Sequence, residues 1–186
     1  MSGHHSDDTP TVLVVEDDRD LADTYELWLE SEYDVRTTYS GSEGLTWYDP
    51  SVDIVLLDRQ MPDLAGRTVL ETMDRRDLVN QKAMLTSTPP GGELVELPCD
   101  DYVTKPVTKR ELRDTVRELQ LRSELDDDLQ RHFRLTSKIA ALESADGPDT
   151  DAALDDLHRE ADRLRARIDD RLSDLDGFAS AFKTIE

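Results

Sequence analysis

The feature that most constrains the fold of this chain is the run Ile54-Val55-Leu56-Leu57, which is followed directly by Asp58. Four apolar residues without interruption are typical of a strand that is buried on both faces of a parallel sheet. Asp58 comes at the carboxyl end of this strand, where open α/β sheets place their ligands. Met61-Pro62 then ends the strand, since proline lacks a backbone donor and restricts the residue before it.

Four further segments of similar character predict a five-stranded sheet. Predicted helices separate these segments. One helix is predicted from Arg19 to about Glu32, and another begins at the capping box Ser40 to Glu43. Alternating strands and helices favour a flavodoxin-like, doubly wound, parallel α/β sheet with right-handed crossovers. Between Thr86 and Lys105 we expect a stunted or missing helix, because Pro89-Pro90-Gly91-Gly92 disfavours regular structure. The predicted strands are Thr11–Val15, Tyr33–Thr38, Ile54–Leu57, Lys82–Leu85 and Asp101–Thr104.

Polar residues follow the predicted strands at the edge of the sheet where their carboxyl ends meet: Glu16, Asp17, Asp58, Thr86 and Lys105. Each of them alone is more typical of a cap, a turn or a surface lysine. Together they include three carboxylates that repel one another. A hard cation such as Mg²⁺ would relieve this repulsion. A carboxylate beside such a cation can attack phosphorus, with a lysine and a hydroxyl stabilising the phosphoryl oxygens.

The motifs that carry these residues resemble the receiver domain of two-component response regulators. They are Val-Val-Glu-Asp-Asp, Leu-Leu-Asp-x-x-Met-Pro, the turn at Gly66, Leu-Thr-Ser and Asp-Asp-Tyr-Val-Thr-Lys-Pro. The resemblance implies that Asp58 is the phosphoacceptor, with a histidine kinase or a small phosphodonor as the source of phosphate. It also implies that Glu16, Asp17, Asp58 and the Gln60 backbone carbonyl bind Mg²⁺.

The same resemblance assigns roles to the remaining members of the set. Lys105 pairs with the phosphoryl group, Thr86 is the switch hydroxyl, and Tyr102 is the aromatic residue whose rotamer reports phosphorylation. The Gln60 amide could orient a hydrolytic water. A receiver assists its own phosphorylation and dephosphorylation and is not a turnover enzyme. A phosphatase with Asp58 as nucleophile is an alternative, but such enzymes usually have a second carboxylate where Gln60 stands.

The last third of the chain predicts two long helices. The first follows a capping box at Thr108 to Glu111 and continues to about Ser144, with Leu125, Leu129 and Phe133 on its apolar stripe. Residues 145–150 break it, and a second helix follows in which Gly177 is expected to produce a kink or an end. The pattern predicts a helical hairpin or the strands of a coiled coil in a dimer, and it leaves this choice open. Arg163, Arg165 and Arg167 are expected to pair within their own helix.

The charge of the chain limits its partners. A net charge of −21 disfavours DNA, RNA and anionic membranes. Residues 119–186 hold 10 basic and 17 acidic side chains, without a basic recognition helix. The excess of aspartate over lysine favours a halophilic protein, and a receiver followed by such a tail resembles the HalX-type regulators of halophilic archaea.

We therefore expect a disordered tail over residues 1–10, a receiver domain over 11–119 and a helical output domain over 120–186. A cytoplasmic location is expected, because Cys99 is the only cysteine and neither a signal peptide nor an apolar membrane span is present. The hypothesis is a response regulator whose tail acts on an unknown output protein or through a homodimer of its helices. The alternative is a transcription regulator that contacts DNA with these helices.

Overall fold

The structure is a computed structural model that describes residues 9–76, 78, 80–87, 97–143 and 150–182. The expected tail before residue 9, the loop and short helix expected over 88–96, and the expected break over 145–149 lie outside these residues. The chain divides into two compact units, Met1–Gln120 and Leu121–Glu186. No helix in the described part of the chain is long and apolar enough to span a bilayer.

The first unit is built on a five-stranded parallel sheet in the order β2-β1-β3-β4-β5. The uninterrupted apolar runs form its inner strands, while the mixed sequence of β2 forms one edge, since only an edge strand tolerates partly exposed side chains. This sheet confirms the predicted flavodoxin-like architecture, and β3 also includes Asp58. The strands are β1 (Thr11–Val15), β2 (Asp34–Thr38), β3 (Ile54–Asp58), β4 (Gln81–Thr86) and β5 (Asp101–Thr104).

In the described part of this unit, the helices that connect the strands are α1 (Arg19–Leu29), α2 (Gly41–Trp47) and α3 (Gly66–Asp74). Helix α1 begins where predicted, since the Asp18 side chain accepts a hydrogen bond from the Leu21 N–H. It ends three residues before the predicted Glu32. The Tyr33 N–H bonds to the Leu29 carbonyl, and the chain turns so that Tyr33 is buried in the core.

The core lies on both faces of the sheet because neighbouring residues of a strand point to opposite sides. One face of the sheet packs against α1 and against the first part of α4 (Lys109–Glu143), the helix that follows β5. The strand residues on this face are Val12, Val14, Ile54 and Leu56. The other residues of β1 and β3 pack on the opposite face with residues of α3. Both faces of the central strands are therefore covered, which explains the continuous apolar runs.

The second unit contains the rest of α4 and helix α5 (Thr150–Phe182), which form an antiparallel hairpin within one chain. Among the described residues, its largest buried cluster consists of Leu125, Leu135, Leu164 and Ile168. Leu129 and Phe133, which the sequence places on the apolar stripe of α4, lie outside this cluster and are 48% and 73% exposed.

A carboxylate lies in the buried interface between the two helices. Asp128 is 7% exposed and accepts hydrogen bonds from Arg167 and Arg171 across the hairpin. Arg171 also bonds to Glu124. The expectation that Arg167 pairs within its own helix is therefore wrong, and this ionic cluster occupies the position where a continuous apolar stripe would have placed a leucine.

Two glycines with opposite surroundings give a test of this packing. A Cβ atom on Gly66 would lie 2.2 Å from the Asp58 carbonyl oxygen, whereas one on Gly177 would meet nothing within 4 Å. Gly177 lies inside α5, so the helix does not end there. We expect Gly66→Ala to lower the free energy of unfolding of the first unit by about 3 kcal/mol. The new methyl group would clash with the backbone at Asp58, and this backbone cannot shift without disturbing β3.

Gly177→Ala is the matched control and should stabilise the second unit by about 0.5–1 kcal/mol, since alanine favours helix more than glycine does. Urea denaturation followed by circular dichroism measures both changes. Equal effects of the two substitutions would contradict the packing around Gly66.

Candidate functional site

Carboxylates from two neighbouring strands meet at the carboxyl edge of the sheet. Glu16 directly follows β1, and its N–H bonds to the Thr38 carbonyl, which extends the pairing with β2 by one residue. Asp58 is the last residue of β3. Glu16 and Asp58 are 2% and 5% exposed, so both carboxyl groups are removed from bulk water. Asp17 is the least buried of the three acids.

Lys105 reaches both buried carboxylates. Its Nζ lies 2.5 Å from Asp58 Oδ1 and 2.6 Å from Glu16 Oε2. The Lys105 N–H bonds to the Thr86 carbonyl at 2.8 Å, which holds the lysine backbone beside β4, and the peptide bond from Lys105 to Pro106 is cis. The second oxygen of Asp58 accepts the Gln60 N–H at 2.9 Å. Both oxygens of Asp58 thus have donors, one of them an ammonium group.

The electrostatic balance of this group depends on Lys105. Desolvation raises the pKa of the Glu16 carboxyl, the hydrogen bond from Lys105 lowers it, and the neighbouring Asp58 raises it, with a net increase. Desolvation lowers the pKa of Lys105, but its bonds to Asp58 and Glu16 outweigh this and raise the pKa. The ammonium therefore stays charged below the ordinary pKa of lysine, and its contribution to stability is lost only as the pH rises through the folded-state pKa.

The three acids could hold a metal ion. Glu16, Asp17 and Asp58 each offer a carboxylate oxygen, and these oxygens lie within 4.8 Å of one another. Three carboxylates and one lysine leave two negative charges uncompensated, and a hard divalent cation prefers such oxygen ligands. The donor set therefore fits a divalent cation.

Two further predicted site residues lie on the strands beside this cluster. Thr86 ends β4 and is 1% exposed, one residue beyond the Leu85 that pairs with Asp58. Tyr102 lies on β5, is half-buried and packs against the same core cluster as Cys99. Its hydroxyl and the Cys99 thiol are hydrogen-bonded, and burial raises the pKa of both groups. Cys99 is thus a half-buried thiol.

Sequence reasoning missed Asp63, which fixes the loop after Asp58. Its carboxylate accepts hydrogen bonds from the Gly41 and Ser42 N–H groups, at 3.1 and 3.0 Å, and from the Ser42 hydroxyl. Since Ser40 Oγ accepts the Glu43 N–H, the first three N–H groups of α2 all have acceptors. No local sequence signal connects residues 22 positions apart, so this contact becomes evident only in the fold.

The loop is closed at its base as well. The Gly66 N–H bonds to the Arg59 carbonyl at 3.0 Å. Residues 59–66 are therefore closed at the base by the bond between Arg59 and Gly66, and Asp63 holds the middle of the loop against α2. Gln60, whose N–H reaches Asp58, lies within this fixed loop.

Comparison with known proteins identifies the family. The sequence model of the response regulator receiver domain matches residues 12–117, which is more than half of the chain. The chain belongs to the response regulator receiver family. A second model, that of the HalX domain, matches residues 121–184, so a HalX domain follows the receiver domain.

Several relatives and solved structures agree with this assignment. A Haloferax volcanii protein named "Putative transcriptional regulator" is 44% identical over 158 residues, which is 83% of this chain and 27% of that protein. The response regulator SaeR of Staphylococcus aureus is 34% identical over 105 residues, 54% of this chain and 46% of SaeR. A CheY-like receiver domain from Methanospirillum hungatei is 27% identical, with a TM-score of 0.58 over 63% of this chain and 98% of that one. The chain thus spans from about a quarter to about half of the length of these two sequence relatives.

Replacement of Asp63 tests how the loop is held. Desolvation tends to raise the pKa of Asp63, but hydrogen bonds from Ser42, Gly41 and Leu64 outweigh it and lower the pKa to about 2. We expect Asp63→Ala to lower the free energy of unfolding by about 1 kcal/mol at neutral pH, as for the loss of an N-cap.

A carboxylate with a lowered pKa stabilises the fold above its unfolded-state pKa, and this contribution is lost as the pH falls through the folded-state value. The difference between wild type and Asp63→Ala should therefore be constant above about pH 4 and shrink towards pH 2. Urea denaturation across this pH range measures it, and Asp63→Asn, which keeps an acceptor oxygen but no charge, should lie between the two. A difference that grows on acidification would contradict the anchoring role of the carboxylate.

Proposed function

We propose that the chain is a phosphorylation-dependent response regulator in which Asp58 accepts a phosphoryl group from a histidine kinase. The observation that carries this proposal is the contact of Lys105 Nζ with Asp58 Oδ1 at 2.5 Å. An ammonium group at this position can neutralise a phosphoryl oxygen when Asp58 becomes phosphorylated. The receiver family and the relative SaeR, named a response regulator, support the same function.

The reaction would proceed by direct transfer. One oxygen of Asp58 forms a bond to phosphorus as the P–N bond of the phosphohistidine breaks, and the departing imidazole takes a proton from solvent. Lys105 stays close to a phosphoryl oxygen, and the fixed loop around Gln60 keeps its N–H directed at Asp58. The domain assists this transfer and the later hydrolysis, to which the Gln60 amide contributes by orienting water, and it does not act as a turnover enzyme.

Mg²⁺ is the proposed cofactor. Glu16, Asp17, Asp58 and the backbone carbonyl of Gln60 would hold it, in line with the acidic pockets that receivers in general use for this ion. When bound, the ion supplies positive charge to the phosphoryl oxygens that Lys105 alone cannot neutralise.

The output would follow from a shift between two states. Thr86 is the proposed switch hydroxyl, since a buried hydroxyl beside Asp58 can bond to a new phosphoryl oxygen. Tyr102, half-buried on the neighbouring strand, would change its rotamer in response. The HalX hairpin would then act on a protein partner in the cytoplasm or through oligomerisation.

A transcriptional role is a second candidate, because the Haloferax volcanii relative carries the name of a transcriptional regulator. The C-terminal helices would then contact DNA. The excess of acidic over basic residues in this part of the chain counts against it at low salt, while high salt would screen that charge.

Phosphorylation of Asp58 is directly testable. After incubation of the full chain with Mg²⁺ and acetyl phosphate, intact-protein mass spectrometry should show the addition of one phosphoryl group. Asp58→Asn should show none, because the amide is not a nucleophile.

Asp34→Asn is the matched control. Asp34 is exposed and is the first residue of β2, so it lies where the strands begin, whereas Asp58 lies where they end. This variant should be phosphorylated as the wild type is. If Asp58→Asn gained the phosphoryl group as well, Asp58 would not be the acceptor. Continuous release of phosphate from a generic phosphate ester by the wild type would favour a phosphatase instead.

A further inference from the structure

Tyr25 buries a hydroxyl group that lacks a hydrogen-bond partner. The residue is 0% exposed, lies on the buried side of α1 and packs in the same core cluster as Val14 and Leu56. No group in the described part of the chain lies within hydrogen-bonding distance of its hydroxyl oxygen. A buried polar group without a partner is unfavourable and rare in native proteins, so this hydroxyl requires an explanation.

The position of α1 directs this side chain towards the carboxyl edge of the sheet. The helix begins at Arg19, three residues after Glu16, and Trp28 packs beside the Tyr25 ring at a centroid distance of 5.9 Å. Side chains of a helix lean towards its first turn. The Tyr25 ring therefore extends from the middle of α1 back towards the segment that carries Glu16.

The electrostatics of the hydroxyl agree with this direction. Burial raises the pKa of the Tyr25 hydroxyl, and the charges of Glu16, Asp58 and Asp18 raise it further, in that order of size. Glu16 is thus the carboxylate that interacts most strongly with the hydroxyl. Since the pKa lies above the ordinary value for tyrosine, the group keeps its proton at neutral pH and is available as a donor.

Packing alone does not account for a tyrosine at this position. A phenylalanine would fill the same space in the apolar core without burying a hydroxyl. Tyr48 shows the usual arrangement of a buried tyrosine: it is 3% exposed, and its hydroxyl donates to the Asn80 side chain at 2.8 Å. The Tyr25 hydroxyl differs from that of Tyr48 because it has carboxylates nearby but no acceptor in contact.

We propose that Tyr25 is a positioning residue of the cation site. Its hydroxyl donates a hydrogen bond to the Glu16 carboxylate, across at most one water, when that carboxylate holds a divalent cation. This inference rests on the proposed Mg²⁺ site. In the present arrangement Lys105 holds Glu16, since its Nζ bonds to Glu16 Oε2. When Glu16 turns from Lys105 towards a cation, the hydroxyl becomes its internal donor and fixes its orientation.

Tyr25 thus acts through Glu16 and does not touch the phosphoryl group. A hydrogen bond to a charged group is stronger than one between neutral groups, and water-free surroundings strengthen it. This gain arises only when Glu16 holds the cation, whereas the cost of the buried hydroxyl is present without it. Removal of the hydroxyl should therefore have opposite effects on stability without the cation and on affinity for it.

Tyr25→Phe in the full chain tests this proposal, since it removes only the hydroxyl. Urea denaturation in a chelator and at several Mg²⁺ concentrations, at constant ionic strength, gives both stability and, by linkage, the affinity for Mg²⁺. Tryptophan fluorescence follows the first unit, because Trp28 and Trp47 both belong to it. In the chelator the variant should be at least as stable as the wild type, because an unsatisfied buried group is removed. Its affinity for Mg²⁺ should be roughly 5- to 10-fold weaker, as for the loss of a hydrogen bond to a charged group.

Tyr48→Phe is the matched control. It also removes one buried hydroxyl, but this hydroxyl bonds to Asn80, which directly precedes β4 and so lies where the strands begin. The control should lower the free energy of unfolding equally in the chelator and in Mg²⁺, and it should leave the affinity for Mg²⁺ unchanged.

Nuclear magnetic resonance tests the same contact in the wild type. In a chain with ¹³C at the Cζ atom of tyrosine, the Tyr25 resonance is assigned by its loss in Tyr25→Phe. It should shift on addition of Mg²⁺, because a phenol that gains an acceptor changes the shielding of its Cζ atom. The Tyr48 resonance should stay in place.

Three results would overturn the proposal: equal Mg²⁺ affinities of Tyr25→Phe and the wild type, an equal loss of affinity in Tyr48→Phe, or a Tyr25→Phe variant that is strongly destabilised in the chelator. A wild type without affinity for Mg²⁺ would overturn both this proposal and the proposed cation site. A wild type that binds Mg²⁺ no more tightly than Tyr25→Phe does would overturn this proposal alone, so the two failures can be told apart.

Discussion

The ion pairs of Lys105 with Asp58 and Glu16 are the interaction on which the candidate site depends. They join segments that are 47 and 89 residues apart in sequence, and they do so at the edge where three parallel strands end. Two nearly buried carboxylates side by side are unfavourable unless a cation lies between them. The sheet brings the carboxylates together, and Lys105 makes their proximity tolerable. With Asp17 as the third carboxylate, two negative charges remain for a divalent cation.

The fold of the first unit was predictable because its signal is local. Uninterrupted apolar runs in β1, β3 and β4 report burial on both faces, and the parallel topology follows from their alternation with helices. The second unit was harder. Helical spacing allows more than one apolar stripe on α4, and spacing alone does not show that Leu129 and Phe133 lie outside the core of the hairpin. The buried side instead contains Leu135 and the carboxylate of Asp128, which the arginines of α5 neutralise. A pairing between helices can favour an acid over a leucine, and sequence periodicity cannot reveal this.

Part of the candidate site could likewise be predicted from the sequence, and part could not. Residues at the carboxyl ends of strands, such as Glu16, Asp58 and Thr86, could be assigned to one edge because strand direction fixes where a strand ends. The contact of Asp63 with the first N–H groups of α2 could not be assigned, since it depends on how a loop and a distant helix meet. The hydrogen bond between Tyr102 and Cys99 is a similar case, as it joins a strand residue to a residue that precedes the strand.

The most direct test of this account is the thermal stability of Lys105→Met, measured beside the wild type in a chelator and in Mg²⁺. We expect the variant to lose about 3–5 kcal/mol of stability in the chelator, because two buried carboxylates lose their cation. Mg²⁺ should restore most of this loss and should stabilise the variant more than it stabilises the wild type. A variant that is as stable as the wild type in the chelator and indifferent to Mg²⁺ would contradict the claim that Lys105 balances the charge of a cation site.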